Sequence, residues 1–223
     1  QPIDEIPENG LYKTFVWGGQ NVSALSVTTE INNISYDLAI DENYIYAASW
    51  AGGLRRYGPI YENQKSWQII PLPMDSDTSL LCGLINPNYT LDPNDPINGG
   101  NHNHKGFSVY IIKDTIWAGT ANGINKGLIE SECINWVNHY TAKWNSISGD
   151  WVIGFTHQKF TNYNRLWAIT WAGPGSNEKN ALSYTDNGGR TWHITFPSGF
   201  SEKVYNLHTN GSTIWAATES GLY

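Results

Sequence analysis

The stretch Ile116-Trp-Ala-Gly-Thr-Ala-Asn-Gly-Ile124 decides the fold, because three other stretches of the chain follow the same order. They are Ile45-Tyr-Ala-Ala-Ser-Trp-Ala-Gly-Gly-Leu54, Leu166-Trp-Ala-Ile-Thr-Trp-Ala-Gly173 and Ile214-Trp-Ala-Ala-Thr-Glu-Ser-Gly-Leu222. Each passes from an aliphatic residue through an aromatic and a run of mostly small residues to a glycine turn. The aromatics Tyr46, Trp117, Trp167 and Trp215 are 71, 50 and 48 residues apart. That period suits four-stranded propeller blades once an insertion is placed between about residues 71 and 104.

Around each anchor the remaining strands can be read. A short β-like run precedes it, at Ile34 to Ile40, Phe107 to Ile112, Trp151 to Phe155 and Val204 to His208. A third strand begins at Leu54, Ile124, Leu182 and Leu222, and Trp67, Trp136 and Trp192 mark a fourth. Apolar spacing of three and four is not sustained anywhere, so almost no helix is expected. The reading is an all-β chain, a β-propeller of four-stranded antiparallel blades. About four blades are visible over residues 1–223, anchored near 45–54, 116–124, 166–173 and 214–222. Small residues at the anchors suggest that these are the innermost strands, crowded around a central axis. A two-sheet sandwich is the alternative, but it would not need a recurring Trp-Ala-x-Thr-x-x-Gly.

The chain opens with Glu8-Asn-Gly-Leu-Tyr12 and closes with Glu219-Ser-Gly-Leu-Tyr223, the same point of the repeat. Either the first strands complete the last blade of a four-blade ring, or the chain is a portion of a larger, six- to eight-bladed propeller within a longer polypeptide. The second is preferred, because a strand ending without its outer partner leaves an unpaired edge.

Composition narrows the partners. A net charge of −7 repels phosphate backbones, and no basic cluster offsets it, so nucleic acid is excluded as a partner. The apolar stretches are too short to cross a bilayer and no charged-then-apolar leader opens the chain, so a soluble mature segment without membrane insertion is expected. Cys82 and Cys133 could form one disulfide closing a loop of about fifty residues, worth roughly 3 to 4 kcal/mol, though spacing alone does not decide it. Triplets of the Asn-x-Ser/Thr type at Asn21, Asn33, Asn88 and Asn210 would suit a secreted chain, but an Asn-rich sequence produces them by chance.

Two groups of residues resemble known repeat families. Thr115-Ile-Trp-Ala-Gly-Thr-Ala-Asn-Gly-Ile124 and Thr213-Ile-Trp-Ala-Ala-Thr-Glu-Ser-Gly-Leu222 resemble the repeat of two-component-regulator-type propellers. Ser183-Tyr-Thr-Asp-Asn-Gly-Gly-Arg-Thr-Trp192 resembles the Asp-box, or BNR repeat, of sialidase-like propellers, with Asp186 and Trp192 one residue further apart than the usual pattern. The combination is similar to bacterial secreted or surface proteins, and implies a secreted, cell-surface or periplasmic location. The box residues Asp186, Gly188, Gly189, Thr191 and Trp192 are expected to be structural. The Asp186 carboxylate can accept backbone N–H groups, the two glycines supply positive φ, and Trp192 inserts between sheets.

Catalytic chemistry is sparse by comparison. A sialidase needs three arginines converging on a carboxylate. Of the four arginines here, Arg55 and Arg56 are adjacent and point to opposite faces of a strand, while Arg190 lies in the box turn and Arg165 is left over. Two facing carboxylates would serve another glycoside hydrolase, with Asp92, Asp95, Asp150 and Glu178 as candidates that nothing separates from solvated loop acids. His102 and His104 form a His-x-His pair beside Asn94-Asp95 and Gly99-Gly100. They could hold a metal but lack a third ligand, and their plainer role is to cap a polar loop over a blade edge. No cofactor is expected; Ca²⁺ at Asp92 and Asp95 is the one exception considered.

Trp50 and Trp171 follow the anchor strands in two repeats. With His102 and His104 they form the candidate ligand surface, although core packing is the commoner fate of tryptophan. The expected function is non-catalytic: an extracellular platform binding a protein or carbohydrate partner. The alternatives are a glycoside hydrolase and the periplasmic sensor region of a signalling protein.

Overall fold

Where the sequence repeats, the chain folds into sheets of one build. The computed structural model describes residues 12–25, 34–63, 66–93, 100–144, 146–174, 176–195 and 200–223. Glu8 to Leu11, Asn33, Asn94, Asp95 and Gly99 lie outside the described residues.

A hairpin of β1 (Tyr12–Trp17) and β2 (Gln20–Leu25) comes first. Blade 1 follows as β3 (Ser35–Ile40), β4 (Ile45–Ser49), β5 (Gly53–Gly58) and β6 (Ser66–Ile70), antiparallel and in chain order. The insertion adds β7 (Thr90–Leu91) and a 3-10 turn at His102–His104. Blade 2 is β8 (Gly106–Ile112), β9 (Thr115–Thr120), β10 (Gly123–Ile129) and β11 (Ile134–Tyr140). Blade 3 is β12 (Trp151–Lys159), β13 (Asn164–Trp171), β14 (Ala181–Thr185) and β15 (His193–Thr195). Blade 4 has β16 (Val204–Asn210), β17 (Thr213–Thr218) and β18 (Gly221–Leu222). The four repeats are therefore four blades.

The anchors are not the innermost strands. First strands of successive blades face one another, β3 with β8, β8 with β12 and β12 with β16, and the anchor strands β4, β9, β13 and β17 lie second. The small anchor residues do serve close approach, but between blades. A Cβ on Gly119 would meet the Val152 carbonyl oxygen of the next blade at 2.5 Å.

Blade contacts repeat in detail. The anchor aromatics Tyr46, Trp117 and Trp167 lie at 6% exposure or less, each sealed by the blade that follows. Hydrogen bonds cross the same seams. Ser108 Oγ donates to the Val152 carbonyl, the Val109 N–H donates to Asp37, and Thr209 Oγ1 donates to the His157 carbonyl. Every first strand also carries a β-bulge at the same place, next to Tyr36, Phe107, Ile153 and Tyr205.

The N-terminal hairpin does not complete blade 4. β2 pairs in parallel with β7, and Trp17, Val22 and Ala24 pack with Leu80, Tyr89 and Trp136 in the largest core. The insertion therefore clamps the hairpin against blades 1 and 2. Cys82 and Cys133 are bonded, tying the insertion to the stretch before β11. The fully buried Trp136 donates its indole N–H to the Pro71 carbonyl, and Leu80 pairs with it by two backbone bonds.

Candidate functional site

Antiparallel blades send their connections to two ends. One end collects the turns after β4, β9 and β13 together with the connections between blades, which include the insertion. The other collects the turns after first and third strands, with Asp186 among them.

At the insertion end, the bulges and turns gather aromatic rings from three blades. Trp50 lies 5.1 Å from Phe107 and 5.7 Å from Trp151, and Phe107 is 5.4 Å from Trp151 and 5.6 Å from Tyr36. Phe107 is buried, Trp50 and Trp151 are half-buried, and Tyr36 is exposed. The Lys105 ammonium sits 5.3 Å above the Trp50 ring. Burial lowers the Lys105 pKa, against the opposing pull of Asp75 and Asp92. Trp171 belongs to a second group of the same kind. Its indole N–H donates to the Val204 carbonyl, Tyr205 meets it edge-on at 5.2 Å, and the Lys203 ammonium lies 4.9 Å from its ring. Trp50 and Trp171 each pack against a neighbouring blade and are half-buried.

His104 is a correction. It is fully buried, so it belongs to no ligand surface. Its Nε2 donates to the Leu72 carbonyl at 3.0 Å, and its Nδ1 lies 3.0 Å from the Asp92 backbone nitrogen and 3.1 Å from the Asp92 carboxylate. Burial would raise the Asp92 carboxyl, but hydrogen bonds from His104 and Asn101 outweigh it and hold the pKa below the ordinary value. Asn103, also fully buried, bonds Pro73, Thr120 and Asn125. A segment dense in backbone turns must satisfy its polar groups internally, which is why Asn103 and His104 of the 3-10 turn face inward. His102 remains exposed, its N–H donating to Asp75.

The structure unites two acids that the sequence left scattered. Glu178 Oε2 accepts the Asp150 N–H at 2.7 Å and the Gly173 N–H at 3.0 Å, and Asp150 Oδ1 accepts the Ala142 N–H at 2.6 Å. Burial pushes the Asp150 carboxyl up; the Ala142 bond opposes this, the Glu178 charge adds to it, and His139 opposes it. Both line a cavity of about 460 Å³ with Ser148, Asn177, Lys143 and Lys179. A larger cavity of about 670 Å³ lies at the opposite end, beside Asp41, Lys113, Asp114 and Glu130. Asp41 is held there by its own loop, accepting the Asn43 and Tyr44 N–H groups and the Tyr46 hydroxyl.

The Asp186 turn departs from its expected chemistry. Among the described residues no backbone N–H reaches its carboxylate. It accepts both arms of Arg165, at 2.6 and 2.7 Å, and that guanidinium stacks 3.9 Å from the Tyr184 ring. The backbone donors go instead to Thr185 Oγ1, which accepts Gly189, and to Asn187 Oδ1, which accepts Thr191. Gly188 and Gly189 have φ of +69° and +89°, and Trp192 packs against Trp117 and Tyr140 of blade 2. Arg165 is thereby committed, and Arg56 is buried between the Trp17 and Tyr44 rings.

No protein-family model matches this chain, and no curated protein matches it in sequence. Solved structures do. One is described as the extracellular domain of a one component system from B. thetaiotaomicron; it is 13% identical with a TM-score of 0.52, over 87% of this chain and 21% of that one. The fold is propeller-like. The WD40 beta propeller domain of Doa1 aligns over 86% of this chain and 64% of its own at 12% identity and a TM-score of 0.37. The computationally designed Ika4 protein aligns over 88% and 98% at 9% identity and a TM-score of 0.45.

Proposed function

We propose that the chain is a non-catalytic recognition module, extracellular or periplasmic, that binds a glycan or protein partner at its insertion end. The observation that carries this reading is the Trp50, Phe107 and Trp151 cluster with Lys105 above it. Three blades contribute to it, so the rings are held rigidly, and rigid half-exposed indoles lose little entropy on binding. Sugars suit such a surface, because their apolar faces stack on indole while the acids and lysines around the neighbouring cavity reach hydroxyls. A glycan array and a pull-down on the wild-type chain and on Trp50→Ala and Trp151→Ala test it. The expected outcome is a ligand whose retention both substitutions abolish. Absence of any ligand, together with release of sugar from a substrate panel, would refute it.

That second outcome belongs to a rival reading favoured by Asp150 and Glu178. One acid with a raised pKa beside a second carboxylate is the arrangement of an acid–base pair in glycoside hydrolysis. Three of their contacts, however, are to backbone N–H groups, which suits loop-holding. Loss of sugar release in Asp150→Asn would identify the pair as catalytic.

A further inference from the structure

Between blades 2 and 3, at the end opposite the Trp50 cluster, the turn after β14 meets strands of both blades around a cavity of about 310 Å³. Two cations line it. The Lys126 ammonium donates to the Gly188 carbonyl at 2.7 Å and lies 5.5 Å from the Trp117 ring, and the exposed Arg190 lines the same cavity. Among the described residues neither cation has a carboxylate within ion-pair distance. Asp186, the acid among the described lining residues, is already matched by both arms of Arg165.

Two like charges around one cavity repel unless an anion sits between them. Burial, helped by the Arg190 charge, lowers the Lys126 pKa. The local sign also runs against that of the chain as a whole, whose net charge is −7. His157 supplies a further donor. It lines the cavity, and its Nε2 is buried with no hydrogen-bond partner among the described residues. An orphaned polar atom of this kind costs stability until a partner reaches it. Burial, then the Lys159 charge, lowers the His157 pKa, so the ring is neutral at pH 7 and donates from Nε2 in one of its two tautomers.

We propose that this cavity binds a phosphate group, with the Lys126 ammonium, the Arg190 guanidinium and His157 Nε2 as its donors. A phosphate monoester carries about 1.5 to 2 negative charges at neutral pH and offers three strong acceptor oxygens. That matches two unpaired cations and a third donor, and hydrogen bonds between ionised groups are the strong ones. A carboxylate brings one charge and two oxygens, which leaves one cation unmatched. The site is separate from the Trp50 surface and stands even if that surface binds nothing.

Calorimetry and two-dimensional NMR on the whole chain test it, with inorganic phosphate, glycerol phosphate and glucuronate as probes at constant ionic strength. At least one phosphate probe should bind more tightly than glucuronate. It should move the Gly188, Arg190 and His157 amide signals and leave those of Trp50 and Phe107 in place. Arg190→Gln and Lys126→Met should each weaken binding about tenfold or more, and Arg190→Lys should recover part of the loss. Tighter binding of inorganic phosphate would mark a site for the free ion, and tighter binding of glycerol phosphate a site for a phosphorylated ligand; either supports the proposal. The wild-type NMR titration needs no substitution, so the test holds even if Lys126→Met, which loses its bond to Gly188, unsettles the turn. No binding of either phosphate probe, glucuronate bound as tightly, signals that move elsewhere, or affinity indifferent to both substitutions would each overturn it.

Discussion

The blade 1–2 sector and the blade 3 outer turn are built by different means. Around the insertion, groups far apart in the chain close on one another: Cys82 with Cys133, Trp136 with Pro71, His104 with Leu72, Gln20 with Ile85. In the turn after β14, groups within a few residues take up the backbone N–H donors, and Arg165 and Lys126 reach in from other strands. Long-range closure couples many contacts, so losing one should loosen the whole sector. Local turn chemistry fails locally.

The largest effect is therefore expected at Trp136. Trp136→Ala removes a fully buried indole and orphans the Pro71 carbonyl, costing roughly 3 to 5 kcal/mol in denaturant unfolding. Cys82→Ser, which reopens a loop of 51 residues, should cost about 3 to 4 kcal/mol. Gly189→Ala comes next, at about 1 to 2 kcal/mol, since φ is +89° there and a Cβ would meet the Tyr140 hydroxyl at 2.5 Å. Asp186→Ala should cost only about 1 kcal/mol or less, because its pair with Arg165 is partly open to solvent. An Asp186→Ala loss exceeding that of Cys82→Ser would reverse the contrast between the two regions.

Acid provides the subtlest probe. The Asp92 pKa is lowered in the folded chain, so its contribution is complete above the unfolded carboxyl value near 4 and is lost as pH falls below it. Melting curves of wild type and Asp92→Asn should therefore differ at neutral pH and converge toward pH 3. A gap that widens in acid would show that Asp92 does not act through its charge.

The second and third strands of each blade were legible because a blade must repeat the same inward and outward side chains, and Trp-Ala-x-Thr does so visibly. Their radial order was not legible. Small residues announce a close approach without saying from which side, and here the approach comes from the next blade over Gly119. The candidate surface was half legible: Trp50 and Trp171 stood out by their place after the anchors, whereas Phe107 and Trp151 looked like ordinary strand residues. Their joining depends on bulges, which leave no mark in a single sequence. His104 misled because a His-x-His pair has the same letters whether it meets solvent or two carbonyl-rich loops.

By itself the sequence determined the blade period, the all-β class and the place of the insertion, since each follows from patterns within one repeat. Only the tertiary structure decided that the hairpin docks on the insertion, that the disulfide closes, that Asp150 meets Glu178 and that Asp186 holds Arg165. Those pairings join residues whose separation along the chain carries no information about their distance in space, so packing alone selects them.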